Sequence, residues 1–453
     1  MRRTLDIDDL APGGEGVGRE GTRSLFVPFT APGDRVEVEP VAGAGAAHAR
    51  LRRLLTAGPD RVVPPCPHFG EPLEGGEREA AAAPEPEGPA DRGCGGCEWL
   101  HLAYRAQLAA KARSLAETLR RIGRLDAAGA PLLPPIESPS PLRYRSRAKF
   151  HLDRRSGRLA FFRRRSHEPV RLRECWLLEP ALDALRERMG PALGRVRLAP
   201  RQVALEWSER DGRGSAWLDL GEPTPAARER AGRLLGEVPG LQGLVLSGAE
   251  GAPALAGDPV LRHQRAPGEA GTARSRPDVF RQANRLANAR LVGATLDLLR
   301  PEGEDVLELF CGSGNFTVPL ARRARGVWAV EAQGPALDLA RLDLEEDPAA
   351  GGRARLFAGD ALAMARAFAR ERGPAARRFG AVLLDPPREG ARGLGPLLRD
   401  LAAPRAVYVS CDPATLARDL RGCVEAGYRV AAVQPVDMFP QTHHVEAVAL
   451  LER

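Results

Sequence analysis

The sequence predicts an α/β protein: a doubly wound sheet over residues 271–453, preceded by a small β-barrel and a central α+β region. Three observations carry that expectation. From about residue 278, short apolar or β-branched runs (VLELF, GVWAV, RLFAG, AVLLD, AVYVS and EAVALLE) alternate with helical segments, the pattern of a sheet with helices on both faces. Residues 1 to about 57 instead alternate apolar and polar residues in LDIDDL, SLFVPF and RVEVEPV, with APGGEGVG and TAPGD between them. A length of 453 residues exceeds what one hydrophobic core ordinarily organises.

In chain order, residues 1–57 suit a five-stranded barrel of the oligonucleotide-binding type. Residues 58–270 form the central region. Within it, residues 71–93 are acidic and rich in Pro, Gly and Ala, too poor in apolar surface to fold, and are expected to be a disordered insertion. A helix is expected over 98–125, with an arginine-rich outer face and its other side on the catalytic domain. The runs AKFHL, RLAFF, VALEW and SAWLDL read as antiparallel strands. Between Arg143 and Arg165 ten basic residues interleave with Tyr144, Phe150, Phe161 and Phe162. That stretch is either a solvated strand face or a phosphate-tracking patch with aromatic faces for bases. Residues 248–277, rich in Gly and Pro, read as a loop or domain boundary.

The balance of 66 basic against 59 acidic residues leaves +7, weak evidence for nucleic acid by itself. No signal-peptide core and no run near ~18 apolar residues occurs, so no membrane contact is expected and the default compartment is the cytoplasm. Thiols stay reduced there, and seven cysteines point to metal binding or catalysis before disulfides. A monomer is the default assembly.

The chemistry lies at strand ends. In VLELFCGSGNFTVPLA a strand runs into a turn bearing Gly312 and Gly314, where missing side chains let the backbone approach a ligand. Glu331, 19 residues after Gly312, ends the next strand, where a carboxylate accepts hydrogen bonds from a ribose. Asp360 ends the third, placed for an adenine edge. With no GxGxxG and no GKS/T, a dinucleotide or phosphate-loop nucleotide is disfavoured, and the adenosyl group of S-adenosylmethionine fits best. Asp385 opens the stiff Asp-Pro-Pro loop of AVLLDPPREG at the end of the fourth strand.

Cys411, in AVYVSCDPATLARDL, ends the fifth strand beside the same crevice. A helix follows it, and that helix's N-terminus is expected to lower the thiol pKa. Cys311 and Cys423 read as packing residues. Glu446 starts the final strand, after a loop with Gln441, His443 and His444. Methylating C5 of a pyrimidine requires a thiolate to add at C6 and a base to remove the C5 proton. Cys411 and Glu446 are the candidates. Methylation of an exocyclic amine, which Asp-Pro-Pro loops also serve, needs no cysteine.

LFCGSGNFTVPLA, LLDPPREG, VSCDPATLARDL and DMFPQTHHVEAVALLER, together with VFRQANRLAN at 279–288, resemble the signature blocks of the bacterial RNA uridine-C5 methyltransferases. The resemblance implies a class I S-adenosylmethionine-dependent methyltransferase fold. It implies that Gln282, Phe310, Asn315, Glu331, Asp360 and Asp385 line the donor site, with Gln282 or Asp385 touching the base. It also implies that residues 1–57 are a TRAM-like RNA-binding barrel. From spacing alone, Cys66, Cys94, Cys97 and Cys175 read as a zinc site or as unrelated cysteines. CPHFG, CGGCEWLHLAY and Cys175 resemble the family's iron–sulfur ligands, which implies a [4Fe–4S] cluster. The family has few residues between its first two ligands, whereas 27 separate Cys66 from Cys94 here. The expected substrate is RNA, ribosomal before transfer RNA. The reading from another class is a redox-sensitive RNA-binding protein with an inactive catalytic fold.

Overall fold

The structure is a computed structural model that describes residues 2–41, 48–71, 73, 92–221, 223–247, 253–267, 271–350, 352–371 and 377–453. The insertion expected over 71–93 lies almost wholly outside the described residues.

The N-terminal strands β1 (Arg3–Leu10), β2 (Gly16–Glu20), β3 (Arg23–Val27), β4 (Arg35–Pro40) and β5 (Ala49–Thr56) form an antiparallel sheet in the order β3-β2-β1-β4-β5. Strand alternation puts Leu5, Ile7, Leu25, Val27, Val36, Val38 and Leu51 into one core. A bridge between Phe26 and His48 joins its two edges.

Helix α1 spans Tyr104–Thr118 and continues as one wider turn, Leu119–Gly123, which Arg124 ends at φ 55°. The helix starts later than 98 for a tertiary reason. The Glu98 and Trp99 N–H groups donate to the carbonyl of Gln441, at 2.9 and 3.0 Å, which sets that segment's course before the helix begins.

Strands β6 (Arg147–Asp153), β7 (Arg158–Phe162), β8 (Pro169–Val170), β9 (Gln202–Ser208), β10 (Arg213–Asp219), β11 (Leu241–Ser247) and β12 (Ala254–Gly257) make the central sheet, ordered β12-β11-β10-β9-β6-β7-β8. Helix α2 (Pro180–Arg195) contributes Leu182, Leu185 and Met189 to its core. The region is not wholly antiparallel. Helix α3 (Pro225–Glu237) connects β10 to β11, and such a crossover returns the chain parallel. The stretch 248–277 is likewise more than a loop. Its described part holds β12 and the hairpin β13 (Leu261–Gln264) and β14 (Thr272–Ser275); residues 248–252 and 268–270 lie outside the described residues.

The C-terminal sheet comprises β15 (Asp305–Leu309), β16 (Gly326–Glu331), β17 (Ala354–Ala358), β18 (Ala381–Leu384), β19 (Arg405–Ser410), β20 (Arg429–Val436) and β21 (Glu446–Glu452). Their order is β17-β16-β15-β18-β19-β21-β20. Five strands run parallel, while β21 is antiparallel to both neighbours. This is the doubly wound sheet expected of a class I methyltransferase. Leu307, Leu309, Leu384 and Tyr408 bury one face under α1, α7 (Ala361–Arg370), α8 (Leu394–Asp400) and α9 (Pro413–Glu425). Val306, Leu383, Val407 and Val409 bury the other under α4 (Arg285–Leu299) and α5 (Thr317–Arg323), and α6 (Gly334–Glu345) adds Leu337 to that core. Burial on both faces explains why these strands read as continuous apolar runs. Among the described residues, no helix is long and apolar enough to cross a membrane.

Candidate active site

The parallel strands end along one edge of the sheet, and the functional side chains gather there. After β15, Phe310 turns at φ 63°, and Gly312 and Gly314 follow at φ 54° and 82°. A Cβ at Gly314 would stand 3.2 Å from the Ala340 side chain of α6, whereas one at Gly312 would meet nothing within 4 Å. Gly314 therefore packs the turn against its own domain, and Gly312 presents backbone to open space. The Gly312 N–H donates to Glu331 at the end of β16, at 3.0 Å, and the Gln333 N–H donates to its other oxygen at 2.9 Å. Asp360 stands beside it after β17. Its carboxylate is exposed and caps α7 through the Ala363 N–H. Asn315 exchanges amide hydrogen bonds with Asn288 of α4 at 2.8 and 3.1 Å. Gln282 is buried in the segment entering α4 and joins the Glu331 group through none of the described hydrogen bonds.

Further along the edge, Asp385 follows β18, Cys411 follows β19, and Glu446 opens β21. Because β21 runs against its neighbours, its first residue meets the edge where the parallel strands finish; Ser410 pairs with Ala447 and Val436 with Glu446. Glu446 is 1% exposed, with one carboxyl oxygen lacking a hydrogen-bond partner. Burial and the nearby Asp385 push its pKa above the carboxylate range, and Arg388 pulls it back. Burial raises Asp385 in the same way. At neutral pH the two carboxyls therefore compete for protons, as like charges in a dry site must.

The thiol does not behave as expected from the following helix. Asp412 caps α9, taking the Ala414 and Thr415 N–H groups at 3.0 and 2.9 Å, so that the first donors of the helix are spent on its carboxylate. Burial, with Glu446 and Asp385 close by, pushes Cys411 up to about 11, and Arg388 is the cation opposing that rise. Cys411 therefore holds its proton more tightly than a free thiol. Arg388, inside the quoted DPPREG, is a charged neighbour of this edge that the sequence reading did not single out. Glu308 was not singled out either: it is 1% exposed behind the glycine turn and is pushed to about 8 by burial, with Asp385 and Glu331 adding to the rise.

The chain leading to Glu446 is held by α1. Lys111, 2% exposed, pairs with Asp437 at 2.6 Å and donates to the Phe439 carbonyl at 2.9 Å. The Gln107 and Gln441 side chains bond at 2.8 Å, the Gln441 N–H returns to Gln107 at 2.9 Å, and the Tyr144 hydroxyl donates to the Pro440 carbonyl. His443 meets Glu98 at 2.7 Å. A half-buried thiol and a buried carboxyl thus share one sheet edge, with the hairpin that leads to the carboxyl held by α1.

The tRNA (uracil-5-)-methyltransferase family profile matches residues 260–453. The 23S rRNA (uracil(1939)-C(5))-methyltransferase of Pectobacterium atrosepticum is 31% identical, covering 99% of this chain and 93% of its own. That of Pseudomonas putida is 35% identical over 100% and 94%. This chain belongs to the RNA uracil-C5 methyltransferases. The fold agrees: a Pyrococcus abyssi tRNA (uracil-54, C5)-methyltransferase, solved with S-adenosyl-L-homocysteine, superposes with a TM-score of 0.71 at 23% identity, covering 100% of both chains.

In this methyltransferase, Cys66, Cys94, Cys97 and Cys175 are all buried and line one small pocket with Phe69, Leu100 and Phe161. Burial raises the pKa of all four, and the neighbouring thiols push Cys66, Cys94 and Cys97 further. Among the described residues, no group of three or more His, Cys, Asp or Glu is drawn together as a metal-ion site. Cys311 and Cys423 are buried packing residues. The basic stretch of the methyltransferase divides. Arg143 stacks on Trp176 and pairs with Glu174, and Arg147 bonds the Val279 and Pro277 carbonyls. Tyr144 and Phe150 are core residues. These do not form a phosphate track; Lys149 and Arg154 to Arg165 contain the exposed remainder.

Proposed function

We propose that this methyltransferase transfers a methyl group from S-adenosylmethionine to C5 of one uridine in 23S rRNA, the reaction in its relatives' names. The observation that carries this reading is the shared edge of Cys411, Asp385 and Glu446. The Cys411 thiolate adds to C6 of the uracil, and the C5=C6 electron pair moves to form an enolate. C5 then attacks the methyl carbon as its bond to the sulfonium breaks, releasing S-adenosylhomocysteine. Glu446 takes the proton from C5, the double bond re-forms, and the C6–sulfur bond breaks to return the thiolate. A base with a raised pKa suits that last step better than an ordinary carboxylate. Phe310, Asn315, Glu331 and Asp360 would hold the donor around the Gly312 turn, with Gln282 and Asp385 between donor and base. The uridine must leave its stack to enter.

Residues 1–57 serve as a TRAM-like RNA-binding module, residues 58–270 as a central domain, and residues 271–453 as the catalytic domain. The four clustered thiols would hold a [4Fe–4S] cluster. Their apolar pocket, with Arg145 acting on Cys94, Cys97 and Cys175, suits thiolates neutralised by a polynuclear centre. Cys66, Cys94 and Cys97 would be linked to Cys175 through it when it is bound. In the test, Cys411→Ala binds S-adenosylmethionine as tightly as wild type but incorporates no label into undermodified 23S rRNA. Full incorporation by that variant overturns the nucleophile. Incorporation by wild type into transfer RNA alone overturns the ribosomal substrate.

A further inference from the structure

Outside the crevice, one surface groove combines cations, aromatic faces and a direct path to the catalytic hairpin. It encloses about 430 Å³, within the range of small-ligand sites. Its floor is the backbone of Gly95 and Gly96, laid on β7 by the Gly95 N–H to the Phe162 carbonyl at 2.9 Å. Across β6 and β7, His151 and Phe162 stack with ring centroids 3.7 Å apart and planes 19° apart, both half-exposed. Burial lowers the His151 pKa, which favours the neutral ring.

Four cations line the groove against one carboxylate. Lys149 is exposed, its amine 5.7 Å from the Trp217 ring. Arg164 and Arg165 share the buried Glu15 at 3.2 and 3.3 Å, which anchors the N-terminal sheet to this wall. Arg163 pairs with Glu168, itself 76% exposed. The carboxylate is Glu98, already engaged by His443. His443 closes one end of the groove, and Glu446 is three residues on, at most ~10 Å of chain. A polyanion with flat faces, entering between the N-terminal sheet and the central sheet, would cross this groove to reach Cys411.

We propose that the groove seats an unpaired nucleotide flanking the target uridine, with its base on the His151–Phe162 pair and its phosphate at Lys149. This rests on the RNA reading above and assigns the residues that hold the strand in register. A base on an aromatic face strengthens binding roughly tenfold, and a lost phosphate contact lowers the salt slope by about one.

The test uses the full-length protein and an oligoribonucleotide carrying the uridine that wild type methylates, with 2-aminopurine placed at each flanking position in turn. One position should be quenched by wild type, released by His151→Ala and quenched again by His151→Phe. His151→Ala should raise KM for the RNA roughly tenfold while the single-turnover rate at saturating RNA and donor affinity stay unchanged; His151→Phe should restore KM. Lys149→Ala, on an exposed side chain, should weaken binding and flatten its salt dependence. Unchanged KM and fluorescence in His151→Ala, or a loss that His151→Phe does not restore, overturns the proposal while leaving the methylation reading intact. If wild type methylates no uridine in any RNA offered, the underlying reading is what has failed.

Discussion

Replacing Lys111 by Met tests whether α1 holds the catalytic hairpin. Lys111 and Asp437 are 2% and 1% exposed and 2.6 Å apart. Removing the ammonium leaves a carboxylate in a dry interior with its counter-charge gone, which costs about 3–5 kcal/mol for a buried pair. The Phe439 carbonyl also loses a 2.9 Å donor. Across a catalytic domain of this size each kcal/mol lowers the melting temperature by about 2–4 °C, so a drop of roughly 10 °C is expected. Calorimetry on the donor-bound protein reads it, and a single-turnover assay reads the displacement of Glu446. The second variant decides the cause. Lys111→Met with Asp437→Asn removes the stranded charge and should recover at least half of the lost stability. If the double variant melts no higher than Lys111→Met, the pair is not what holds the hairpin.

Glu446→Gln keeps the carboxyl's shape without its basicity, so a Cys411–RNA adduct should survive a denaturing gel while turnover falls at least ~100-fold; normal turnover with no retarded band would remove Glu446 from the chemistry. Arg388 opposes the raised pKa values of both Cys411 and Glu446, so Arg388→Ala should move the rising limb of kcat/KM against pH upward by roughly one unit. A superimposable profile would show that the guanidinium does not act on them. Glu308 is raised from 4.5 to about 8. The folded state keeps a proton that the unfolded chain loses across that window, so its contribution to stability is full below 4.5 and lost as pH rises through about 8. Glu308→Gln does not titrate, and its melting temperature should gain on wild type between pH 5 and pH 9; a constant difference would contradict the burial argument.

What was legible in the sequence is what local chain chemistry determines. Strands buried on both faces read as apolar runs, and the residue after each run marked the sheet edge, so Asp385, Cys411 and Glu446 were placed from sequence. The late start of α1 was not legible, because it depends on Gln441, whose carbonyl takes the Glu98 and Trp99 N–H groups. The Lys111–Asp437 pair spans 326 positions, and one sequence carries no sign of such a partnership. Arg388 passed unnoticed among 66 basic residues because nothing in its spacing separates a cation beside the Cys411 edge from a solvated one elsewhere. The thiol was a different failure. Asp412-Pro413 is a helix cap followed by a first-turn proline, a readable signal that the helix donors were already committed.

The contact between Glu98 and His443 joins positions 345 residues apart, and this separation affects how the enzyme is made. Contacts of such high sequence separation form late, because the intervening loop entropy must first be overcome. The C-terminal sheet is built from near-neighbour βα units, whose contacts close short loops, whereas the supports of the hairpin bearing Glu446 come from the CGGC segment and α1, across 345 and 326 positions. The frame that holds the end of that hairpin is therefore supplied by the other half of the chain.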